Sequence, residues 1–167
     1  MSITDQQKEF LNNFKDYLEK VAIPTVDDFL NDDTNNLRRA RLACIALAHA
    51  MDYVIILYDS LGGAYKNRLD QLSDAYNLIK DICDATKHSI LRSKNRNITK
   101  ASDVSYRSHE GPGMFDAPFG YSTFNNEGVY AMLQNGKSIL ISEPLKQVVR
   151  FFINELEYTE STILLKA

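Results

Sequence analysis

The chain has 167 residues, 19 Lys or Arg against 22 Asp or Glu, and a formal charge of -3 at pH 7. That length suits one domain with a substantial core, and 44% hydrophobic with 25% charged residues is the composition of a soluble globular protein. The slightly acidic balance argues against a general nucleic-acid binder, though not against a local basic patch.

The opening MSITDQQKEF is polar and has none of the apolar core of a signal peptide. From Thr4 to about Lys20, Phe10, Leu11, Phe14, Tyr17, Leu18 and Val21 recur at helical spacing, with Thr4 or Ser2 as N-cap. Pro24 suits the first turn of a short second helix ending near Asn31. The polar turn NDDTNN, residues 31–36, supplies caps for a third helix from Leu37 to about Asp59, which Gly62-Gly63 stops.

Within that third helix, LACIALAHAMDYVIILY (residues 42–58) is apolar except at His49 and Asp52, which predicts a helix buried on nearly every side. The run is short for a membrane span and carries polar groups near its middle, so a soluble, cytoplasmic protein with no membrane partner is expected. Cys44 and Cys83 fall in apolar helical patterns and read as buried thiols.

The fourth helix is expected from about Lys66 to Leu91. At about 100° per residue, Leu72, Tyr76, Ile79, Cys83, Thr86 and Ile90 form its apolar stripe, and Asp81, Asp84 and His88 lie opposite. The helical signal then stops from Ser93 to Gly128, a stretch holding Gly111-Pro112-Gly113 and the aromatics Tyr106, Phe115, Phe119, Tyr121 and Phe124. A segment this long is expected to be functional, partly β or partly disordered.

Val104–Arg107 reads as a short strand. Val129–Gln134, Asn135-Gly136 and Lys137–Ile141 carry the signal of a hairpin with a two-residue type I′ turn, which needs a third strand or a helix to rest on. Ser142-Glu143-Pro144 opens a last helix with Leu145, Val148, Val149, Phe152 and Leu156 as its apolar face, and the tail from Glu160 reads as a loose extension. The expected architecture is a mostly α (α+β) single domain over residues 1–167. It comprises an antiparallel four- or five-helix bundle (4–92), a loop and hairpin (93–141) and a closing helix (142–159).

Two features carry chemistry. On the third helix Arg38, Arg41, His49, Asp52 and Asp59 project into one sector of about 80°. The simplest reading is a network in which His49 and Asp52 bond to each other or to Arg41, while the acids and His88 of the fourth helix form a solvated face. The alternative joins His49 and Asp52 to Asp84 and His88, with Asp81, as ligands of a divalent metal or as the site of a hydrolase. No phosphate loop, nucleophile elbow or Cys-x-x-Cys is present, and no other cofactor is implied.

The second feature is basic. Lys87, Arg92, Lys94, Arg96, Lys100 and Arg107 stand against one acid, Asp103, whereas the first 36 residues carry eight acids and three lysines. With Tyr106 and the loop aromatics, this stretch could hold RNA by phosphate contacts and base stacking. The competing reading gives the cations to the helix C-terminus and to solvent, with the loop aromatics anchoring onto the bundle.

Residues 80–91, KDICDATKHSIL, end a helix in a Lys-His pair and are followed by a strand, a Gly/aromatic loop, a hairpin and a closing helix. That order resembles small bacterial helical proteins related to the HEPN superfamily. The resemblance implies a helical bundle and a homodimer packed along the third and fourth helices, in a superfamily where many members are RNases. Their signature is an Arg, four to six residues, then a His. His88 has no Arg at that spacing, His49 has Arg41 upstream with seven residues between them, and His109 has only Arg107 close by. RNase activity therefore does not carry over.

The sequence thus predicts a non-catalytic binding or dimerisation module working through Asp84, Lys87, His88 and the loop that follows, with RNA or a protein as partner. The alternatives are an atypical RNase or metal-dependent hydrolase using His49, Asp52, Asp84 and His88, and an RNA binder using residues 87–107.

Overall fold

A computed structural model describes residues 4–32, 36–61, 73–88, 90–92, 95–107 and 127–164. Gly62-Gly63, the first turns expected of the fourth helix with Leu72, Lys94, His109 and the loop aromatics beyond Tyr106 lie outside the described residues. The protein is mostly helical, with one small antiparallel sheet of three strands.

Helix α1 (Asp5–Tyr17) starts in a capping box: Thr4 Oγ1 accepts from the Gln7 N–H at 3.2 Å, and Gln7 Oε1 accepts from the Thr4 N–H at 3.1 Å. It does not end near Lys20. A π-helical turn (Leu18–Ala22) carries it straight into α2 (Ile23–Leu30), so the two expected helices are one continuous run. Pro24 interrupts nothing, because it sits in the first turn of α2, just after a stretch where the regular i→i−4 ladder is already replaced. Leu11, Phe14, Leu18, Ala22, Val26 and Phe29 are buried along the whole run.

Helix α3 (Leu37–Ser60) begins at Asn36, whose Oδ1 accepts from the Arg38 N–H at 2.9 Å. It is the hub of the fold, packing against α1, α2, α4 (Ser73–His88) and α5 (Ser142–Leu164). Ala40, Ala43, Ala46 and Ala50 are among its buried residues, and such short side chains let neighbouring helices approach closely. The helix is not buried all round: Leu42 is 42% exposed and Ile56 49%. It is long and apolar enough to cross a membrane, and half of its most apolar stretch is buried inside this fold.

After α4 the chain doubles back through an isolated bridge between Ile90 and Lys100 and a single 3-10 turn (Ala101–Asp103). Strands β1 (Val104–Arg107), β2 (Gly128–Met132) and β3 (Ser138–Leu140) then pair in sequence order, with Tyr106 opposite Val129 and Ala131 opposite Ile139. β1 is the third strand the hairpin required. Val104, Val129, Ala131 and Ile141 are buried, joining the sheet to the common core.

The hairpin turn differs from the expected two-residue form. Leu133 and Lys137 close a three-residue loop, with the Gly136 N–H bonded to the Leu133 carbonyl (2.9 Å) and Gly136 at φ +80°. Gln134 is engaged from outside: its N–H donates to the Asn97 carbonyl (3.0 Å) and its Nε2 to the Arg96 carbonyl (2.9 Å). These anchors hold the longer loop.

Leu145, Val148, Phe152 and Leu156 of α5 are buried as the spacing predicts, and the Phe152 ring meets Phe14 edge-on at 6.1 Å. The tail is not loose. The helix continues to Leu164, and Glu160 pairs with Lys15 of α1 at 2.8 Å.

Candidate functional site

The polar seam of α3 is an exposed stripe rather than a buried network. The side chains of His49 and Asp52 are 49% and 69% exposed, and His49 Nδ1 lies 3.9 Å from Asp52 Oδ2. The expectation of a buried pair fails for a physical reason. A helix apolar on all sides does not reveal from spacing which face turns inward, and packing has taken the face opposite His49.

Arg41 leaves the seam altogether. Its Nη2 donates to the carbonyl of Ala101 (2.7 Å) and reaches that of Val104 (3.5 Å), fixing the start of β1 against α3. The neighbour His49 gains is Lys87 of α4, whose Nζ stands 3.5 Å from His49 Nε2. Tyr17 and Tyr53 stack on the α1 side at 4.8 Å, beside an open groove of about 460 Å³ that Asn13, Asp16, Lys20 and Val21 also line.

The acids of α4 serve a different purpose from the solvated face expected. Asp81 is only 4% exposed. Arg96 Nη1 donates to Asp81 Oδ1 (2.7 Å) and to Asp84 Oδ2 (2.9 Å), while the Asn97 backbone N–H (2.6 Å) and Nδ2 (3.0 Å) both donate to Asp81 Oδ2. Asp81 and Asp84 therefore clamp residues 96 and 97 to α4. Thr86, placed on the apolar stripe by the sequence, turns its hydroxyl back to the Ile82 carbonyl (2.7 Å).

The basic stretch divides in the same way. Arg96 is held by the two acids, and Arg107 donates to Ser138 Oγ (2.8 Å) with its guanidinium 4.9 Å from the centre of the Tyr130 ring. Lys87, Arg92 and Lys100 are exposed, as is His88 at the end of α4. Among the described residues no three His, Cys, Asp or Glu side chains gather as a metal site would need.

Both cysteines are free and buried. Burial pushes the Cys44 thiol far above its ordinary value. Burial also raises Cys83, and the nearby Lys87 charge and hydrogen bond offset this only in part. Neither is an activated thiolate.

One polar group escaped the sequence reading. Glu155 is buried between α5 and α3 and accepts a hydrogen bond from the Tyr58 hydroxyl, and Thr159 Oγ1 donates to the Glu155 carbonyl at 2.7 Å. A signal existed: Glu155 follows Val148 by seven residues and Phe152 by three, within the apolar stripe of α5. Compared with protein-family models, curated proteins and solved structures, the chain matches none.

Proposed function

We propose that this protein is a non-catalytic binding module of HEPN-like type, built as a helical bundle, whose working surface is the exposed stripe of α3 with the Lys87 corner of α4. The observation that carries the reading is the composition of that stripe. Leu42, Ile55 and Ile56 stand exposed on the helix that forms the centre of the core, interleaved with His49 and Asp52. A mixed apolar and charged strip on a rigid central helix is the composition of a recognition surface.

The groups a hydrolase would use are committed elsewhere, which supports a non-catalytic reading. Asp84 is taken by Arg96, and His49 has Lys87 as its nearest α4 partner rather than a carboxylate. The test is a photo-crosslinking amino acid at position 56, compared with one at Arg150, an exposed position on α5. A discrete adduct formed from position 56 and not from position 150, in cells producing the full chain, is the expected result. No adduct from position 56 ends the proposal, as does RNA hydrolysis by the purified chain that is lost on His49→Ala or His88→Ala.

A further inference from the structure

Arg107 is the only charged residue in the three strands. Side chains alternate between the two faces of a sheet. Val104, Val129 and Ala131 are buried on the inner face and Ile139 packs against the core with them. Tyr130, Met132, Ser138 and Leu140 fall on the outer face, and none of them is buried.

The Arg107 side chain starts at the end of β1, opposite Gly128, and crosses this outer face. Its guanidinium stands 4.9 Å from the centre of the Tyr130 ring, and its Nη2 donates to Ser138 Oγ of β3 at 2.8 Å. Ser138 Oγ donates in turn to Met132 Sδ at 3.6 Å. A ring, a hydroxyl and a thioether, all neutral, thus set the position of one cation.

Arg96 and Arg107 differ in what holds them. Arg96 is paired with two carboxylates, Asp81 and Asp84. Arg107 has no ion pair among the described residues, and Glu127, the acid just before β2, accepts instead from the Tyr106 hydroxyl of the other face. Extending a flexible side chain across a sheet costs rotamer entropy. Ring stacking and one neutral hydrogen bond leave its charge uncompensated and most of its five N–H donors unused.

We propose that the outer face of the sheet binds an acidic peptide, with an Asp or Glu carboxylate on the Arg107 guanidinium and a neighbouring apolar side chain on Met132 and Leu140. A guanidinium fork positioned in advance takes a carboxylate through two parallel hydrogen bonds with little further ordering. Tyr130 covers one side of that fork. Met132 is 41% exposed, and its flexible thioether adapts to an apolar neighbour. Leu140, paired with Tyr130 in the register, extends the apolar strip. Charge selects a carboxylate over a phosphate, because phosphate-reading surfaces gather several cations and this face carries one. The site uses neither the α3 stripe nor Lys87 and is a second surface beyond the binding reading above.

The test titrates the isotope-labelled full chain with the peptide acetyl-Ile-Glu-Ile-amide, followed by proton–nitrogen correlation spectra. The same peptide with Gln or phosphoserine in place of Glu serves for comparison. The Glu peptide is expected to shift the Arg107 Nε–H and the amides of Tyr130, Met132 and Leu140. It is expected to bind more than about tenfold more tightly than the Gln peptide, the scale of a hydrogen bond to a charged group. Arg107→Gln is expected to abolish that preference. Ser138→Ala keeps the charge but releases the fork, and is expected to weaken the Glu peptide by about threefold or more. Arg92→Gln alters an exposed cation elsewhere and is expected to change nothing.

Circular dichroism confirms the fold of each variant. Met132→Glu keeps the test decisive if Arg107→Gln does not fold: it places a carboxylate on the same face at an exposed position and is expected to displace the peptide. Equal affinity for the Glu and Gln peptides overturns the inference, as does Glu-peptide binding that survives Met132→Glu or Arg107→Gln. Shifts confined to other parts of the chain, an equal loss from Arg92→Gln, or tighter binding of the phosphoserine peptide overturn it as well. The crosslink from position 56 reports on the α3 stripe alone, so the two readings fail separately.

Discussion

Arg96 and Asp81 lie fifteen residues apart in the chain and 2.7 Å apart in the fold, and the carboxylate they share with Asn97 is buried on α4. Gln134 of the hairpin loop bonds in turn to the backbone of Arg96 and Asn97. The clamp therefore sets the position of three elements: α4, the connection that precedes β1, and the loop between β2 and β3.

Removing Arg96 leaves Asp81 buried with only its Asn97 partners. Arg96→Ala is expected to destabilise the protein by about 2–4 kcal/mol, the range for stripping one partner from a buried, hydrogen-bonded charge. Urea unfolding of the variant measures this, with amide exchange at Asn97 as a local readout. A loss below about 0.5 kcal/mol, the scale of an ordinary surface substitution, would show that the pair does not hold the clamp.

Gly136 isolates a backbone effect. It sits at φ +80° in the hairpin loop, and a Cβ there meets nothing within 4 Å. Gly136→Ala is expected to cost about 1 kcal/mol through backbone strain alone, and Gly136→Asn less, since Asn tolerates the left-handed region. Equal stabilities of the Ala and Asn variants would contradict that account of the turn.

Alkaline pH tests the packing of α4 against α3. Burial, with a smaller contribution from the Asp52 charge, pushes the Tyr76 phenol up from its ordinary value near 10 to about 12. Tyr17 is raised as well, first by burial and then by Tyr53 and Asp52. A phenol with a higher pKa when folded adds stability that is complete below about pH 10 and is lost as pH rises through the folded value. The urea midpoint of the wild type is expected to fall between about pH 10 and 12. Tyr76→Phe should shallow that fall, and Tyr17→Phe combined with it should shallow it further. A double variant with the wild-type slope would mean that other groups control alkaline unfolding.

Local signals were legible in the sequence. Thr4 and Asn36 cap helices, Val104–Arg107 is a strand, and the turn chemistry of residues 134–136 places a hairpin. Each depends on neighbours within a few residues. What the spacing did not contain is contact over distance. Asp81 looked solvated because Arg96, its partner, belongs to a later segment with no periodicity. His49 looked buried because α3 is apolar on every face, so the choice of inner face was left to its neighbours. The seam residues were found as one sector, but whether that sector turned inward was not encoded locally.

The π turn at Leu18–Ala22 has a consequence for how this protein tolerates changes in chain length. Phe14, Leu18, Ala22 and Val26 are buried in three successive steps of four, and on an ideal α-helix each such step drifts about 40°. The wider turn absorbs that drift, as a single extra residue does when it is taken into a helix without breaking it. The two halves of the run are therefore phased independently. Deleting one residue from 19–21 is therefore expected to return the turn to regular α-helix with Val26 and Phe29 still on the face of Leu11 and Phe14. The surplus residue makes this turn the place where the run tolerates a loss, whereas the same deletion inside α1 or α2 would turn everything beyond it by about 100°.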